Sequence, residues 1–119
     1  MQKEKEKKIE LETRFQVMGL TAQGQLVDTL DDIRMFVVVE KSKPVKILSE
    51  GVYTILVQGV YEIGDYVAGF VGNDESISAK AIAPHGYEEY RDEIVGRIIQ
   101  GTSEVIGDDY FKVRIMIWV

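Results

Sequence analysis

The run Val52-Tyr53-Thr54-Ile55-Leu56-Val57-Gln58 follows Gly51 directly and is rich in β-branched and aromatic residues. Such side chains fit a half-buried pleated surface, so the run reads as a strand. Stretches of the same character occur upstream at Val45 to Leu48 and downstream at Tyr66 to Val71, Ile77 to Ile82, Ile94 to Ile99 and Phe111 to Val119. Between them stand Ser49-Glu50-Gly51, Gly64-Asp65, Gly72-Asn73-Asp74 and Gly107-Asp108-Asp109, all turn-forming sequences. Short strands at regular spacing predict an all-β chain, a small barrel or sandwich of about 7–9 strands.

Further upstream, Ile9, Leu11, Thr13, Phe15 and Val17 alternate with Glu10, Glu12, Arg14 and Gln16, the pattern of a half-buried strand. Gly19 to Thr29 reads as a loop with room for one helical turn, because Asp28, Thr29, Asp31 and Asp32 offer local hydrogen-bonding side chains. Met35-Phe36-Val37-Val38-Val39, inside Arg34 to Glu40, is apolar on both faces and predicts a strand covered on both sides. Lys41-Ser42-Lys43-Pro44 ends it. Gly51-Val52-Tyr53-Thr54-Ile55 and Gly59-Val60-Tyr61-Glu62-Ile63 repeat a short motif, which shared β-vocabulary explains. Residues 1–8 are a charged tail without an apolar face, and residues 9–119 are read as one β-barrel-like domain.

The chain of 119 residues is 45% hydrophobic, enough for one core. It has no long uncharged apolar run and no apolar signal core near Met1, so it is expected to stay off membranes and out of the ordinary secretory route. Without cysteine there are no disulfides, thiolate nucleophiles or sulfur-bound metals. The net charge is −6; Lys3 to Lys8 holds four lysines against two glutamates, +2, which leaves −8 on the rest. A body of that sign repels phosphate backbones, and the cluster Arg34, Lys41, Lys43, Lys46 is diluted by Glu40 and Glu50, so no nucleic-acid partner is expected.

Catalytic and metal-binding patterns are not found. His85 is the one histidine and sits in the turn-like Ala83-Pro84-His85-Gly86. The serines at 42, 49, 76, 78 and 103 lie in no nucleophile-elbow pattern. Asp28, Asp31 and Asp32, and Asn73, Asp74 and Glu75, lack the spacing of a calcium loop and read as turn chemistry. The expectation is a non-enzyme with no cofactor and no metal.

Two regions suggest contact surfaces. Tyr87-Glu88-Glu89-Tyr90-Arg91-Asp92-Glu93 lies in a stretch, Asp74 to Glu93, with six acids against two bases; it reads as an exposed loop whose Tyr87 and Tyr90 either bind a partner or pack on the barrel's mouth. In the last strand Val113, Ile115, Ile117 and Val119 share one face, and Met116 and Trp118 the other. That second face is covered within the chain or meets another subunit, which makes Met116 and Trp118 candidate interface residues.

The order of a strand, Ile63-Gly64-Asp65-Tyr66-Val67, a turn, Ala79-Lys80-Ala81-Ile82, a loop, Ile94-Val95-Gly96-Arg97-Ile98-Ile99, a turn and Val113-Arg114-Ile115-Met116-Ile117 resembles small β-barrel units of bacteriophage structural proteins. These include capsid decoration proteins and C-terminal domains of tail fibres and tailspikes. The likeness spans about Val45 to Val119. It implies a virion component, found in the particle or in the host cytoplasm during assembly, that acts by homo-oligomerisation, as a trimer, alongside other virion proteins. Some such domains cleave themselves, but no residue here matches a cleavage motif. Independently of the resemblance, Gly64-Asp65 is read as a turn made where a side chain would clash, and Gly96 as a bulge or close backbone approach. The alternative is a small-molecule or carbohydrate-binding module with Tyr53, Tyr61, Tyr66, Tyr87 and Tyr90 lining a barrel mouth.

Overall fold

The structure, a computed structural model, describes residues 14–107 and 109–117, and of Ser103 the backbone alone. It is all-β, as the patterning predicts. The strands are β1 (Phe15–Thr21), β2 (Leu26–Val27), β3 (Ile33–Glu40), β4 (Lys46–Ile47), β5 (Gly51–Gln58), β6 (Tyr66–Val71), β7 (Ile77–Ile82), β8 (Ile94–Ile106) and β9 (Tyr110–Ile117). A four-stranded sheet runs β2-β1-β3-β4, and a closed barrel runs β5-β7-β6-β8-β9.

Four expectations need correction. First, β1 does not stop at Gly19: its backbone keeps pairing with β3 and β2 as far as Thr21, where Thr21 and Gln25 close the turn. No helical turn forms between Gly19 and Thr29; the short β2 lies there instead. Second, β8 runs on past Ile99, because register shifts at Ile98/Gln100 and Gly101/Val105 absorb the residues that look like a break. Third, Tyr87-Glu93 is helical: α1 (Tyr87–Tyr90) lies between single 3₁₀ turns at Pro84–Gly86 and Arg91–Glu93. Pro84 pre-sets the first turn, and Glu88 and Glu89 favour the start of α1. Fourth, Gly64 has φ +95° with open space where a side chain would stand, so backbone conformation and not a clash requires glycine. The part of the expected first strand from Ile9 to Thr13 lies outside the described residues.

Other expectations hold. β6 and β7 match their predicted limits, and the β6–β8 ladder shifts register beside Gly96, the bulge read at that glycine. Val38 and Val39 are both buried, so β3 is covered on both sides there, although Met35 at its other end is 47% exposed. The motif beginning at Gly59 forms no strand.

The barrel's strands are unequally joined. β9 pairs with β5 along the whole of β5, and β6 pairs with β7 along its length, but β5 meets β7 through Gln58 opposite Lys80 alone. The four-stranded sheet lies over this weak seam. Its Val17 and Val38 enter one core with Ile55, Val57, Val67, Ala79, Ile98, Val113 and Ile115 from the barrel wall. Backbone pairing reinforces the junction: Thr29 lies opposite Ser76, Leu30 N–H donates to the Glu75 carbonyl at 2.8 Å, and Ile77 N–H donates to the Asp28 carbonyl at 3.0 Å.

Phe36 of β3 packs against β6, beside this junction. A Cβ on Gly69 of β6 would stand 2.4 Å from the Phe36 ring, so the ring uses the space that the glycine leaves. Phe36→Ala is expected to cost about 2–4 kcal/mol in urea unfolding. Gly69→Ala should cost about 1–3 kcal/mol alone and much less in the Phe36→Ala background; additive costs would contradict this packing.

Candidate functional site

Three surfaces of the barrel hold the residues of interest. On β6, β7 and β8 the inward side chains are Val67, Ala79 and Ile98, so Tyr66, Lys80 and Arg97 project from the outer wall. The helical segment 84–93 covers that wall. Tyr87 packs on Tyr66 with ring centroids 4.9 Å apart, and the Arg97 guanidinium lies 4.7 Å over the Tyr66 ring. Arg97 Nε also donates to the Gly64 carbonyl at 2.8 Å. Lys80 Nζ stands 4.7 Å from the Tyr90 ring and 5.2 Å from that of Phe70. Tyr87 and Tyr90 are therefore half-buried and fasten α1 to the outer wall, away from any barrel mouth.

The second surface is the outer face of β5, β9 and β8. Val52 lies directly opposite Met116, and Met116 opposite Arg97 on the other side. Val52 and Met116 are each 41% exposed, and Ile99, at the bulge of β8, is 40% exposed. The next row is polar, with Arg114 donating to Gln100 at 3.0 Å. Among the described residues Met116 is left partly exposed; Trp118 lies outside the described residues.

The third surface is a groove of about 590 Å³ between the sheet and the barrel. Phe15, Val17 and Met18 form one side and Ser76 to Ala79 the other, with Leu56 and Tyr110 between. The Ser78 and Tyr110 hydroxyls are 3.3 Å apart. Residues so distant in the chain leave no local signal, which is why this groove is invisible in the sequence; only the topology assembles it.

The five tyrosines of the expected mouth do not come together. Tyr53 packs on Phe15 at 5.2 Å and Tyr61 on Phe111 at 5.7 Å, both toward the core, while Tyr66, Tyr87 and Tyr90 belong to the outer wall. Strand parity separates them, since odd positions of β5 and even positions of β6 point to opposite sides of the barrel.

The acidic groups do local work. Buried Asp65 accepts the Glu62 N–H at 2.9 Å and holds the turn through Gly64. Asp31 accepts the Asp32 N–H. Asp74 accepts both the hydroxyl of Ser76 at 2.7 Å and its N–H at 3.1 Å, and these bonds hold its carboxyl below the usual carboxylate range. The depressed value means that this contact favours the folded hairpin above the ordinary pKa and fades as the pH falls through the lowered one. His85 is exposed, and no group of three or more metal-ligating side chains occurs among the described residues.

No helix among the described residues is long and apolar enough to cross a membrane. No family model matches the chain, and no curated protein or solved structure is significantly similar to it.

Replacing Lys80 by Gln removes two cation–ring contacts, expected to cost about 1 kcal/mol. Amide exchange across Tyr87 to Tyr90 should then accelerate roughly five- to tenfold; unchanged exchange would show that Lys80 does not fasten α1.

Proposed function

We propose that this chain is a non-enzymatic assembly module, a structural component of a bacteriophage-type particle, that works by homo-oligomeric association through the outer face of β5, β9 and β8. The observation that carries this reading is the neighbouring trio Val52, Met116 and Ile99, all about two-fifths exposed where a solvated barrel wall is ordinarily polar. Arg97 and Arg114 border the trio and supply a polar rim, the usual anatomy of a contact patch. Further support comes from the segment order between Val45 and Val119 that resembles phage barrel units. The alternative of a tyrosine-lined ligand site loses its basis, because those rings are used in packing at three separate places.

Light scattering across a concentration series tests the reading. The chain is expected to exceed its 13.5 kDa monomer mass, and Met116→Glu should raise the concentration at half-dissociation by at least about tenfold, the effect of a charge placed in an apolar contact. A monomer at every concentration, or an unchanged profile in a folded Met116→Glu protein, would refute it.

A further inference from the structure

The groove beside β1 is bordered on one side by a strand edge that lacks a partner. β1 pairs with β2 only at Gly19 and Leu20, so Phe15 to Met18 have no paired strand on that side among the described residues. Lys41 N–H donates to the Arg14 carbonyl at 2.9 Å, which makes Arg14 and Lys41 a hydrogen-bonded pair. Alternation then turns the backbones of Gln16 and Met18 toward β3 and those of Phe15 and Val17 toward the groove. Across the groove, Gly72 N–H donates to the Ser76 carbonyl, so Ser78 and Lys80 face β6 and Ile77 and Ala79 face the groove. That edge of β7 is already partly taken: Thr29 lies opposite Ser76, the Asp28 carbonyl accepts the Ile77 N–H, and Gln58 lies opposite Lys80, so the open backbone is that of β1. A trough with open backbone donors and acceptors along its β1 wall and apolar side chains on its floor is the form that accepts an added strand.

We infer that this groove is a strand-addition site, and that its occupant is the segment Ile9-Glu10-Leu11-Glu12-Thr13 of a second copy of the chain. Residues 1–13 lie outside the described residues and lead into Arg14, at the start of β1 and beside the groove. Antiparallel pairing of the two copies about a two-fold axis at Thr13 sets Leu11 opposite Phe15 and Ile9 opposite Val17. In this register the apolar residues share the core-facing side of β1, and each Glu12 meets on the other side an Arg14 whose guanidinium also pairs with Glu40. The free edge of four residues is about 13 Å long, and it ends where β2 takes over at Gly19. The register brings Lys8 opposite Met18, so the apolar alternation of the arm gives way to the lysine-rich leader where the edge runs out. The pairing is self-complementary, as a two-fold contact requires, and it is independent of the Met116 face.

Nuclear magnetic resonance on the full chain tests this directly. A mixture of isotope-labelled and unlabelled protein is expected to show intermolecular contacts from Leu11 to Phe15 and from Ile9 to Val17. The Phe15 and Val17 amides should be protected at least about tenfold more in concentrated than in dilute solution. Ile9→Glu with Leu11→Glu should abolish both effects while the barrel stays folded, and Met116→Glu should leave both in place. Absence of the intermolecular contacts, concentration-independent exchange, or protection that survives the double substitution would overturn the inference. Because Met116→Glu probes the other face, failure of the arm contact and failure of the proposed association are read separately.

Discussion

The structure depends on a seam that its own backbone barely closes. Four of the five junctions in the barrel are antiparallel ladders, but β5 and β7 meet through a single parallel pair, Gln58 with Lys80. An opening there would expose Val57 and Ala79 to water. The β1–β3 pair prevents this by lowering Val17 and Val38 onto the gap, while Phe36 packs into the space left by Gly69 on the neighbouring β6. Sheet and barrel thus share one core, and the pairing of Thr29 with Ser76 ties them at one end. Neither the sheet, with two-residue outer strands, nor the barrel, with its weak junction, has the makings of an independent unit.

The proposed function rests on what this arrangement leaves uncovered. The outer wall of β6 and β7 is closed by α1 through Tyr87, Tyr90, Lys80 and Arg97, and Asp31, Asp65 and Asp74 fasten their own turns. The polar groups found here hold the fold together, and the surfaces with unused capacity are apolar or are backbone edges. The partly exposed Val52, Met116 and Ile99, and the stretch of β1 edge without a paired strand, are the surfaces on which the proposed association rests.

Strand content was legible because residue type and turn punctuation act locally. Tyr66 to Val71 and Ile77 to Ile82 are bounded by Gly64-Asp65, Gly72-Asn73-Asp74 and Pro84, and their limits coincide with the strands. Reading failed where glycine carries a different job. Gly19 looks like a break yet lies inside β1, and Gly101 lies inside a β8 that bends through two register shifts. The segment 87–93 misled because its helix is a single turn held by ring contacts to Tyr66 and Lys80, residues outside the segment. Of the candidate contact residues, Met116 was legible as an apolar side chain on the polar face of an alternating strand. The groove was not, since it arises from the order in which strands pair, and no local pattern encodes that order.

The most direct test of the shared core is native-state hydrogen exchange in low urea, comparing the Gln16, Met18 and Val39 amides with those of Ile55, Val113 and Ile115. The account predicts that both groups open in one event, with the same free energy and the same urea dependence. Earlier opening of the Gln16, Met18 and Val39 group, with the barrel amides still protected, would contradict it and would mean that the barrel closes without the sheet.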